Sequence, residues 1–165
     1  MKAKNKLLTL LILSAGAAVT TAAINKAIQV SAVSKNLLAE PEPLCFKWRL
    51  GNVYYTKEGT GKPLLLIHDL DTCTSGYEWK QLIPFLSSKY TVYTIDLLGF
   101  GRSEKANMTY TNFLYVQLIS DFIKSEIGHR TSIITSGEAA SIPLMACANN
   151  PDLFDQIMAI NPLSL

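Results

Sequence analysis

Leu64-Leu65-Leu66-Ile67 is an apolar run with no polar residue at either alternate position. Successive side chains of an extended chain point to opposite faces, so such a strand needs cover on both sides. Strands of this kind belong to mostly parallel sheets packed between helices. Neighbouring segments agree. Tyr90 to Ile95 is β-branched and aromatic, and Thr131 to Thr135 and Gln156 to Ile160 also suit strands. Between them, apolar residues recur at helical spacing over Glu78–Ser87, Tyr110–Ile127 and Ala139–Ala148. Cys45 to Tyr55 alternates as a hairpin, for which Gly51-Asn52 is the expected turn. The expectation is an α/β fold with right-handed crossovers. Its functional loops lie at the carboxyl ends of the strands: 68–76, 96–103, 135–139 and Asn161 onward.

The first part of the chain reads differently. Lys2, Lys4 and Lys6 precede an uncharged stretch from Leu7 to Ile24, the pattern of a secretory signal or a membrane anchor. As a helix it would be roughly 27 Å long, just enough to cross a bilayer core. The division expected is a signal or anchor over 1–26, a stalk over 27–43 ended by Pro41-Glu42-Pro43, and a folded domain over 44–165. The weak lysine asymmetry favours the domain outside the cell membrane, with secretion as the alternative. A net charge of +2 and the lack of a basic cluster interleaved with aromatics give no sign of a nucleic-acid partner. Three cysteines without C-x-x-C and two histidines suggest neither a disulfide framework nor a metal centre, and no cofactor motif is seen.

Three segments carry a family resemblance. Leu66-Ile67-His68-Asp69 is similar to the strand ending in His-Gly of α/β-hydrolases. Asp96-Leu97-Leu98-Gly99-Phe100-Gly101-Arg102-Ser103 matches their Asp-x-x-Gly-x-Gly-x-Ser turn throughout. Ile133 to Ala140 occupies the place of their nucleophile elbow. Together they span about Leu44 to Pro162. The resemblance implies an α/β-hydrolase-type sheet and a family activity on ester- and amide-type bonds. It further implies a cap, two more strands, a catalytic acid and a catalytic histidine after the sixth strand. The expectation is therefore a partial domain, cut after that strand, whose exposed sheet edge favours self-association.

At the elbow, the residues two before and two after the apex must be small because strand and helix nearly touch. With Ser136 as apex the flanks would be Ile134 and Glu138, both bulky. With Gly137 they are Thr135 and Ala139, so Gly137 is the expected apex and no attacking side chain is present. Ser136 is kept as a displaced nucleophile only in an alternative reading. The family's oxyanion hole uses two backbone amides, which by position belong to Glu138 and to Leu70 or a neighbour. His68, Asp69, Asp96 and Asn161 are expected to line the site, with Asp96 as a turn residue and His68 orienting its loop. Asp69, Asp71 and Glu138 are expected to point into solvent; a small cation or amine site is the functional alternative. Cys73 could act as a nucleophile only with His68 as its base, and His129 is expected at the surface. The reading favoured is a hydrolase-fold protein without serine-hydrolase activity. Its rivals are an active hydrolase of unusual design and a non-enzymatic module that binds a small molecule.

Overall fold

The computed structural model describes residues 16–28, 30–31, 34 and 43–162. It divides into two compact units, Met1–Glu40 and Pro41–Leu165. Within the first, residues 16–28 are helical and exposed. Among the described residues no helix is long and apolar enough to cross a membrane. The lysines and the leucine-rich start of the stretch expected to be a signal or anchor lie outside the described residues. So does most of the expected stalk.

The second unit is a six-stranded sheet in the order β1-β2-β4-β3-β5-β6. The strands are β1 (Leu44–Trp48), β2 (Gly51–Glu58), β3 (Lys62–Ile67), β4 (Tyr90–Ile95), β5 (Thr131–Ser136) and β6 (Phe154–Ile160). β1, β2 and β4 pair antiparallel in sequence, while β4, β3, β5 and β6 run parallel. The run in β3 does what its composition requires. Leu65 and Ile67 join Tyr93, Ile95 and Ile133 on one face, and Leu64 and Leu66 join Val92 on the other.

The first face packs under two helices, α2 (Asn112–Phe122) and α3 (Ser141–Asn149). Phe122 sits edge-on to Phe46, Tyr55 and Tyr93 at centroid distances of 5.7, 5.0 and 6.3 Å. Thr111 caps α2 by accepting the Leu114 amide. The helix widens into a π turn at Ile123–Ile127 and stops at left-handed Gly128. The second face has less cover. Trp79 and Ile83 pack there from a 3-10 turn (Gly76–Trp79) and from α1 (Ile83–Leu86).

Three sequence expectations need correction. Glu78–Ser87 is not one helix. Ser75 caps a 3-10 turn and Pro84 starts a separate short α1, leaving Phe85 78% exposed. The first hairpin turns at Arg49-Leu50, since Trp48 pairs with Gly51. Asn52 is committed to Glu104, whose carboxylate accepts its amide and whose amide donates to its carbonyl. The helix after β5 also starts later than expected, because Gly137–Ala140 form a 3-10 turn ahead of α3.

Candidate active site at the Gly137 bend

β3, β4 and β5 are adjacent and parallel, so their carboxyl ends meet on one edge of the sheet. Three loops leave from there, and hydrogen bonds fix each. Asp96, just after β4, accepts the Gly76 amide on Oδ1 at 2.7 Å and the Arg102 amide on Oδ2 at 2.8 Å. Its carbonyl accepts from Ser103 Oγ at 2.5 Å, and that hydroxyl accepts the Tyr54 amide. Gly101 has φ +47°, and a Cβ there would lie 2.3 Å from the Asp96 carboxylate. The Asp-x-x-Gly-x-Gly-x-Ser segment is thus a self-bonded turn. Lys105 closes it by donating to the carbonyls of Gly101 and Ser103. Burial pushes this ammonium down from its ordinary value while Asp96 pulls it back up.

His68 is fully buried, with its ring 5.1 Å from that of Phe100. Nε2 lies 3.0 Å from the Leu97 amide, which can only donate, so Nε2 carries no proton. Nδ1–H therefore donates to the Asp69 carbonyl at 2.6 Å. Burial lowers the imidazole's basicity, against smaller raising effects from the Asp69 carbonyl and the nearby acids. With both ring nitrogens engaged, His68 joins two loops and offers no free nitrogen to a serine or to Cys73. Cys73 is exposed, as is His129 in the turn before β5.

After β5 the chain bends at Gly137. Gly137 has φ +54°, and the flanking Thr135 and Ala139 are fully buried. Ser136 lies in extended backbone just before it, and its buried Oγ has no hydrogen-bond partner. Ser141 donates to the Glu138 carbonyl. Asn161 follows β6 in left-handed backbone and is exposed.

Asp69 departs from expectation: its carboxylate turns inward instead of facing solvent. Oδ1 accepts the Leu70 amide at 2.7 Å and the Glu138 amide at 2.8 Å. A Cβ on Gly137 would lie 2.0 Å from Asp69 Oδ2 and 2.2 Å from Cγ. The carboxylate therefore fills the space into which an apex side chain would project. The backbone of Asp69 is held as firmly. Its amide donates to Glu78, and its carbonyl accepts from Thr74 Oγ1 as well as from His68. Glu78 and Thr74 were not anticipated, because their roles depend on a loop folding back. Among the described residues no group of three or more acids, histidines or cysteines is placed to hold a metal ion.

A solved serine hydrolase involved in carbazole degradation superposes with a TM-score of 0.71 over 75% of this chain and 49% of its own, at 24% identity. The chain carries the α/β-hydrolase fold. Curated relatives agree. A 2-hydroxy-6-oxo-6-(2'-aminophenyl)hexa-2,4-dienoic acid hydrolase of Metapseudomonas resinovorans is 33% identical over 105 residues, 62% of this chain and 34% of its own length. A soluble epoxide hydrolase of a Corynebacterium is 27% identical over 110 residues, 66% of this chain and 37% of its own. The chain thus spans about a third of the length of these curated relatives. No family model matches it.

Proposed function

We propose that this chain presents an α/β-hydrolase scaffold in which the acyl-transfer step of a serine hydrolase does not occur. The relatives are named as hydrolases, so hydrolysis is the activity of the group. Acyl transfer needs a nucleophile at the bend and two amides free to take the developing oxyanion. The observation that carries the reading is the Asp69 carboxylate against bare Gly137. It sits on the two amides that sequence position assigns to the oxyanion hole and leaves no room for a side chain at the apex. Ser136 does not rescue the chemistry, since its hydroxyl has no partner and His68 has no free nitrogen. A fluorophosphonate probe read by intact mass tests this. No adduct is expected, and stoichiometric labelling of a serine would refute the reading.

The proposal extends to location. The lysine-led apolar stretch from Leu7 to Ile24 supports an N-terminal membrane anchor with the domain outside the cytoplasm, or export. Alkaline carbonate extraction of membranes decides this: an anchored chain stays in the pellet, and a chain released to the supernatant was not anchored.

A further inference from the structure

We propose that a cleft lined by the first hairpin turn, α2 and the end of α3 is a second binding site, for a small monocarboxylate that carries an apolar ring. Its volume is about 360 Å³. That lies within the roughly 300–1,000 Å³ of small-molecule sites. α2 and the π turn that follows it supply Phe113, Gln117, Asp121 and Lys124, at spacings that set them along one side of the helix. Arg49 comes from the hairpin turn, and Asn149 and Asn150 from the end of α3. None of these residues belongs to the loops around Gly137, so the site is independent of the catalytic reading.

The charged groups decide what the cleft takes. The Arg49 guanidinium lies 5.2 Å from the centre of the Trp48 ring and donates to Gln117 Oε1. Trp48 is itself buried and fixed, because its Nε1 donates to Asp121 Oδ2 at 2.8 Å. A guanidinium stacked and tethered in this way loses little freedom when it grips a carboxylate. The rest of its fork has no partner among the described residues, and neither has the Lys124 ammonium. Two cations against the one carboxylate of Asp121 leave the lining with a single positive charge. One carboxylate neutralises that charge, whereas a phosphate dianion overshoots it. The side-chain amides of Gln117, Asn149 and Asn150 add neutral hydrogen-bond donors. Phe113 is 66% exposed in the lining, a flat apolar surface on which a ring can stack.

Sodium benzoate titrated into the ¹⁵N-labelled protein at constant ionic strength tests this, with the side-chain amide signals of Gln117, Asn149 and Asn150 as readout. Saturable shifts are expected, with affinity on the order of millimolar. Benzyl alcohol has the ring without the charge and should bind about tenfold more weakly. Arg49→Gln should weaken benzoate by about tenfold, through loss of the charged fork. Lys124→Gln should weaken it several-fold, and it serves if Arg49→Gln disturbs the hairpin. No saturable shift at these amides up to about 50 mM benzoate overturns the inference. So does undiminished affinity in both variants, or a response confined to the amides around Gly137. Tighter binding of phenyl phosphate than of benzoate would overturn the assignment to a monocarboxylate.

Discussion

Placing a serine at the bend should harm the fold through one identifiable side chain. In Gly137→Ser the new Cβ would overlap Asp69 Oδ2, which is 2.0 Å from its position. The carboxylate must leave, and with it go two charge-assisted bonds worth about 1.5 kcal/mol each at this partly exposed site. Non-glycine backbone at φ +54° adds about 1 kcal/mol of strain. The single variant should therefore lose about 4 kcal/mol, a large share of the stability of a small domain, which is roughly 5–15 kcal/mol. Asp69→Ala removes the same two bonds and should cost about 3 kcal/mol. In the double variant those bonds are lost only once. It should therefore be about as stable as Gly137→Ser alone, a coupling of about 3 kcal/mol in a double-mutant cycle. Urea unfolding followed by circular dichroism measures all four proteins. Strict additivity would mean that residues 69 and 137 do not contend for the same space, and the steric argument would fail. Neither serine variant should gain esterase activity, because no free imidazole nitrogen faces the bend among the described residues.

Other outcomes follow from the same network. His68 is held neutral, with its folded basicity depressed by burial, so the unfolded chain binds a proton that the folded one does not. Its stabilising contribution is complete above its unfolded pKa of about 6.5 and declines as pH falls from there toward the depressed folded value, by at most about 1.4 kcal/mol per pH unit. Long-range ¹H–¹⁵N spectra at pH 6 should show the neutral Nδ1–H form, and an imidazolium signal would refute this. Asp96→Ala strips acceptors from the Gly76 and Arg102 amides and should cost about 3 kcal/mol in urea unfolding, whereas a loss under about 1 kcal/mol would mean the turn holds itself. Met158 and Ile160 are 60% and 42% exposed on edge strand β6. We propose that this edge drives self-association, so Met158→Lys should lower the weight-average mass in sedimentation at raised concentration. An unchanged mass would place any association elsewhere.

Much of this fold was legible because its strands are buried on both faces. Leu64–Ile67 read as a strand buried on both faces, and the intact Asp96–Ser103 pattern read as a structural turn. Gly137 was expected as the apex from a purely local rule about small flanking residues. What escaped the sequence was long-range. Apolar spacing over Glu78–Ser87 looked helical, but the capping by Ser75 and the position of Pro84 split it. Gly51-Asn52 had turn chemistry, but the bonds of Asn52 to Glu104, 52 residues away, drew both into β2. Asp69 was expected to point to solvent, yet its first donor is the amide of the next residue, Leu70. Its second donor is the Glu138 amide, 69 residues further on, and only the adjacency of β3 and β5 brings the two together.

Hydrogen-bond couplings between the Asp69 carboxyl carbon and the backbone nitrogens of Leu70 and Glu138 would report the contact on which this account depends. In ¹³C,¹⁵N-labelled protein, Asp69 Cγ should correlate with both amides, and both correlations should vanish in Asp69→Ala. Absence of the Glu138 correlation in a well-resolved spectrum of the unsubstituted protein would mean that the carboxylate does not fill the bend, and that the two amides stand open beside Gly137.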